Sequence, residues 1–202
     1  MNFIKNILAI IGLIALIGGG YAYSKFGSQI GGMKGEMDAL AKLDPKAKEV
    51  YTEMWEKLKE TGNSADATVW VYPLAEGISP EDAEEAMKAV ANEHNIKSVG
   101  DLPLSDQIAS MTGEDQRLLK IFQFCNPLTA KKMVDYSDAF AAYLPCRISM
   151  VEGKDGKVRL YALNMDMMIY GGKTLPDDLF KDATAVKEVI IDIMKRGAEG
   201  DF

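Results

Sequence analysis

The stretch Cys146–Met165, "CRISMVEGKDGKVRLYALNM", decides how this chain folds. Two alternating runs flank Asp155 and Gly156, and that pattern predicts two antiparallel strands joined by a tight turn. "GKDGK" from Gly153 to Lys157 has a superficial likeness to a phosphate loop, but it lacks the P-loop spacing and belongs to the turn.

Upstream of the hairpin, "LLKIFQFC", residues 118–125, is apolar at nearly every position and reads as a strand buried on both faces. After Pro127 the run "LTAKKMVDYSDAFAAYL" has helical character, in two pieces broken near Tyr136 and Ser137. Downstream, "LPDDLFKDATAVKEVIIDIMKRG" places Phe180, Ala183, Val186, Val189, Ile190, Ile193 and Met194 on one face of a closing helix. Gly197 is its expected terminator, and Lys195 and Arg196 suit the negative end of the helix dipole.

Toward the amino terminus, "ATVWVYPL", residues 67–74, predicts a strand, and Pro73 marks it as an edge or a strand end. "SPEDAEEAMKAVANEH" opens a helix with Ser79 as N-cap, Pro80 in the first turn and Asp82 near the capping-box position. A shorter helix is expected from Ser105 to Met111, ended by Gly113. An amphipathic helix is expected over 44–62, capped by Asp44 and closed by Gly62. Its stripe of Ala47, Val50, Tyr51, Met54, Trp55 and Leu58 requires burial against the folded domain. About four strands and several helices imply a two-layer α+β domain over 67–197.

The first residues are of another kind. Between Lys5 and Lys25 lie 19 uncharged residues, and a helix of that length covers roughly the 30 Å of a bilayer core. Residues 1–25 are therefore expected to form one transmembrane helix, with Tyr21 and Tyr23 at its interface. A glycine-rich flexible neck is expected over 26–43. A short head with one lysine, followed directly by the span, suits a single-pass signal anchor whose soluble domain is exported, in a bacterium to the periplasm. Net charge is −7, and the four arginines (Arg117, Arg147, Arg159 and Arg196) are dispersed, so nucleic acid is excluded as a partner.

The succession "CNP" (Cys125–Pro127), a helix, "LPC" (Leu144–Cys146), a hairpin and "NMDMM" (Asn164–Met168) resembles the domain-of-unknown-function 302 family. The resemblance covers roughly Ala67 to Arg196. Asp166 and Met168 stand near the family's Asp-Pro turn, although the proline is missing. What it implies is a compact α+β domain that pairs as a homodimer, with no established activity.

The residues that carry possible chemistry are Cys125, Asn126, Pro127, Cys146, Asp166 and Met168. A disulfide closing the 20 residues between the cysteines would stabilise the fold by about 3 kcal/mol. It needs the two strands antiparallel and side by side, since a parallel crossover would put the thiols at opposite ends. Cys125 precedes a helix start, where the dipole lowers a thiol pKa.

Three functions stay open. The first is a small-ligand or partner-protein binding module, the second a thiol redox protein using Cys125 and Cys146 on another envelope protein, and the third a haem or copper carrier with Met and Cys ligands. The binding module, with no cofactor and no enzymatic activity, is the expected one. Cys-x-x-Cys and Cys-x-x-Cys-His are absent from the sequence, and its one histidine, His94, sits near a helix end as a cap.

Overall fold

The computed structural model describes residues 35–202. The expected span over 1–25 and most of the expected neck lie outside them; residues 35–40, the near end of that neck, are helical. No helix among the described residues is long and apolar enough to cross a membrane.

The elements follow in the order α1 (Ala47–Thr61), α2 (Ser64–Ala67), β1 (Val69–Pro73), α3 (Pro80–Glu93), β2 (Lys97–Pro103), α4 (Leu104–Thr112) and β3 (Leu119–Cys125). After them come α5 (Pro127–Tyr136), a 3-10 segment (Asp138–Tyr143), β4 (Cys146–Glu152), β5 (Val158–Leu163), α6 (Asp166–Tyr170) and α7 (Asp177–Glu199). The five strands form one sheet in the order β1-β5-β4-β3-β2, antiparallel at every pairing. The domain is thus α+β, with five strands where about four were expected.

The additional strand is β2, "KSVGDLP". Its glycine, aspartate and proline give it no strand signature, and it forms because β3 offers it a free edge. It pairs from Lys97 opposite Cys125 to Pro103 opposite Lys120, with a bulge between Ser98 and Gly100. Both edges of the sheet carry a proline, Pro73 on β1 and Pro103 on β2, which cannot extend the ladder to another chain.

Pleating sorts each strand's residues onto two faces. On one face Phe122, Phe124, Ile148, Met150 and Leu160 are fully buried, and they belong to one core with Ala83, Met87 and Val90 of α3 and Ile190, Ile193 and Met194 of α7. Fully burying each such large apolar side chain contributes about 1.5 to 3 kcal/mol. The start of α3 follows the expected capping box: the Ser79 hydroxyl accepts from Asp82 N at 3.1 Å, and Asp82 Oδ2 accepts from Ser79 N at 3.2 Å.

Helix α7 does not stop at Gly197. It runs to Glu199, and Gly200, at φ 66°, supplies the left-handed cap. Gly197 has a packing role instead, because a Cβ there would collide with the buried side chain of Met87 on α3.

Helix α1 also departs from expectation. Asp44 does not cap it: the helix begins at Ala47 after Lys46, while the buried Asp44 carboxylate accepts from Lys46 N and from Thr174 Oγ1, both at 2.9 Å. Its apolar stripe does not bury fully. Ala47 is buried, Val50 packs against the core and Tyr51 donates its hydroxyl to Gly171 O at 2.8 Å, but Trp55 is 56% exposed. Met54 and Leu58 farther along are half-buried, so the apolar stripe is covered only in part.

Candidate functional site: a cavity at one end of the sheet

Antiparallel pairing brings the ends of β3 and β5 and the starts of β4 and β1 to one end of the sheet. There α5, the 3-10 segment and the cis peptide Leu144–Pro145 carry the chain from β3 to β4. The break between the two helical pieces falls at Ser137, whose backbone is extended.

These elements enclose a cavity of about 350 Å³. Its wall includes Phe124, Cys146 and Ala162 from the core face of the sheet and Cys125, Arg147 and Tyr161 from the opposite face, so it wraps around the sheet end. Met133 of α5 and Val186 and Ile190 of α7 close its inner part. The volume lies in the range of small-molecule sites.

The register answers the question of the two cysteines. Phe124, not Cys125, stands opposite Cys146. A one-residue offset in a strand reverses the side chain, so the two thiols leave opposite faces of the sheet although their backbones are neighbours. Both are free.

Neither is activated. Burial pushes the Cys125 thiol up, which overturns the expected helix-dipole effect. The Asn126 side chain caps α5 by accepting from Leu128 N at 3.1 Å and Thr129 N at 3.2 Å, so these helix-start donors are already engaged. The Cys146 thiol is pushed up to about 11, chiefly by burial and secondarily by Cys125, with Arg147 opposing. At neutral pH both thiols are protonated and behave as small apolar groups.

Of the six residues singled out from the sequence, Cys125, Asn126, Cys146 and Met168 line the cavity. Pro127 does not; it occupies the first turn of α5, where its missing N–H costs nothing. Asp166 does not either. Its N–H donates to Asn164 Oδ1 at 2.8 Å and its carboxylate pairs with Lys187, tying α6 to α7. His94 caps α3 and its Nε2 lies 2.7 Å from Asp192 Oδ2, away from the cavity. Among the described residues no three His, Cys, Asp or Glu side chains are grouped to hold a metal ion.

Arg147, Ser149, Tyr161 and Met133 are cavity residues not singled out from the sequence. A signal for the first three existed. Once Ile148 and Met150 are assigned to the core, alternation sends Arg147 and Ser149 to the opposite face. Met133 had none, because which turn of α5 meets the core depends on the tertiary arrangement.

The chain belongs to the family described as "Domain of unknown function DUF302", whose model matches residues 72–197. It is also similar in fold to the crystal structure of an uncharacterized conserved DUF302 protein from Bacillus stearothermophilus. The TM-score is 0.52 at 11% identity, with 64% of this chain and 97% of that chain covered. No curated protein matches the chain.

Proposed function

We propose that this domain is a small-ligand binding module, held at a membrane by its amino-terminal segment and exposed outside the cytoplasm. The observation that carries the reading is the cavity of about 350 Å³, walled mainly by aliphatic, aromatic and protonated sulfur side chains. This space lies at a sheet end, between the strand ends, α5 and the 3-10 segment. The proposed anchor rests on the 19 uncharged residues between Lys5 and Lys25.

Decanol serves as a neutral apolar probe. The full chain in lipid nanodiscs should retain it in equilibrium dialysis above the blank of empty discs, and Ala130→Trp, which puts a ring into the cavity, should abolish the excess. Equal retention by empty discs and the wild-type chain overturns the reading.

Copper is a second reading with one supporting observation: Cys125, Cys146, Met133, Met165 and Met168 all line the same space. A Cu(I) titration against a colorimetric chelator separates the two. Stoichiometric copper retention lost in the Cys146→Ser variant supports the metal reading, and none at chelator-limited concentration removes it. The redox reading has the weakest support, since thiols on opposite faces cannot bridge without distorting the strand ends.

A second copy of the chain is the proposed partner. Val71, Leu102 and Leu163 stand exposed on the sheet face turned away from α3 and α7. Sedimentation of the full chain in nanodiscs with one and with two copies per disc tests it.

A further inference from the structure

The strand positions on the sheet face turned away from the core include no acid. They are Val69, Val71 and Pro73 on β1, Arg159, Tyr161 and Leu163 on β5, and Arg147, Ser149 and Val151 on β4. β3 adds Leu119, Ile121, Gln123 and Cys125, and β2 adds Lys97, Gly100 and Leu102. In a chain with 30 acidic and 23 basic residues, strand positions that hold three cations and no acid depart from the surface as a whole.

Arg147 stands out among the cations. Among the described residues it is the one charged side chain in the cavity lining. The other arginines are engaged: Arg117 Nη1 donates to Glu152 O at 2.6 Å, Arg159 Nη2 pairs with Asp155 Oδ2 at 2.5 Å, and Arg196 Nη1 pairs with Glu93 Oε2 at 2.6 Å. Arg147 has no acidic partner among the described residues, and the residue opposite it on β3 is the neutral Gln123. It is exposed and borders the cavity, whose other lining side chains are uncharged among the described residues.

A guanidinium left unpaired beside an apolar cavity matches a ligand with one anionic end and an apolar body. The planar donor fork of arginine fits a carboxylate bidentately. Ser149, two residues on and on the same face, adds a hydroxyl to the lining.

We propose, resting on the small-ligand reading above, that the cavity takes an alkyl carboxylate of the fatty-acid class, its carboxylate on Arg147 and its chain among Phe124, Met133, Met168 and Val186.

The test is equilibrium dialysis of decanoate and decanol, run separately, against the full chain in nanodiscs with empty discs as the blank. The wild type should bind decanoate about tenfold more tightly than decanol, as expected for one charge-assisted bidentate contact. Arg147→Gln, a change at an exposed position, should bring decanoate to the decanol level and leave decanol unaltered. Decanol binding with no preference for decanoate, or a preference that survives Arg147→Gln, overturns the carboxylate assignment and leaves the cavity reading standing. Binding of neither probe overturns both.

Discussion

The two faces of the sheet are made from the same strands, yet they obey different rules. On the face toward α3 and α7, Phe122, Phe124 and Ile148 are completely excluded from solvent, while on the other Val71 is 43% and Leu163 42% exposed. One face is closed by two long helices; the other carries the short helix α4 near β3, where Ser105 is buried against Leu119. Core-face residues are therefore constrained by shape. Residues of the other face are free to be chosen for chemistry, and Arg147 is there. The cysteines divide the same way, Cys146 toward the core and Cys125 away from it.

The largest expected effect falls on the closed face. Phe124→Ala should cost about 3 to 5 kcal/mol in urea denaturation, the range for emptying a packed aromatic site, whereas the half-buried Ile121→Ala should cost markedly less. A similar loss for both would mean that the second face is covered as well.

Gly197→Ala comes next. The added methyl meets Met87 where α7 crosses α3, and overpacking of that kind costs about 1 to 3 kcal/mol. No loss in stability would show that the two helices can separate slightly without harm.

The third effect depends on pH. The folded Cys146 thiol titrates at about 11, above its ordinary value of 9.0, so between these two values the folded state holds a proton that the unfolded state has released. Stability from this group is complete below pH 9.0 and is lost as pH rises toward about 11. Over that window the wild type should lose about 2 kcal/mol more than Cys146→Ala, by the linkage of 1.36 kcal/mol per pKa unit. Parallel curves for the two proteins would place the thiol in a more solvated site.

The smallest expected effect belongs to the exposed face. Val71→Glu should leave monomer stability within about 0.5 kcal/mol, as surface changes do, while abolishing any self-association in sedimentation. Retained association would move the proposed contact off this face.

Much of the fold could be read from local patterns, because the signals were local in origin. The hairpin around Asp155 and Gly156, the capping box at Ser79 and Asp82, and the break at Ser137 each depend on residues a few positions apart. Strand β2 could not be read, since its pairing with β3 overrides a sequence unsuited to strands. The terminator at Gly197 was misplaced for a related reason: a glycine that permits close helix packing looks the same in sequence as one that ends a helix. For the site, four of six singled-out residues line the cavity, while Arg147, which carries the charge, passed as one of four scattered arginines.

The amino-acid sequence by itself determined the hairpin, the capped start of α3, the α+β class and the family, all of which rest on periodicity, capping chemistry or short motifs. Only the tertiary structure decided that β3 and β4 run antiparallel, that Phe124 and not Cys125 faces Cys146, and that an arginine borders an apolar cavity. These are matters of register between strands separated by 20 residues of helix and loop, and a shift of one position, which leaves every local pattern intact, would exchange the two faces.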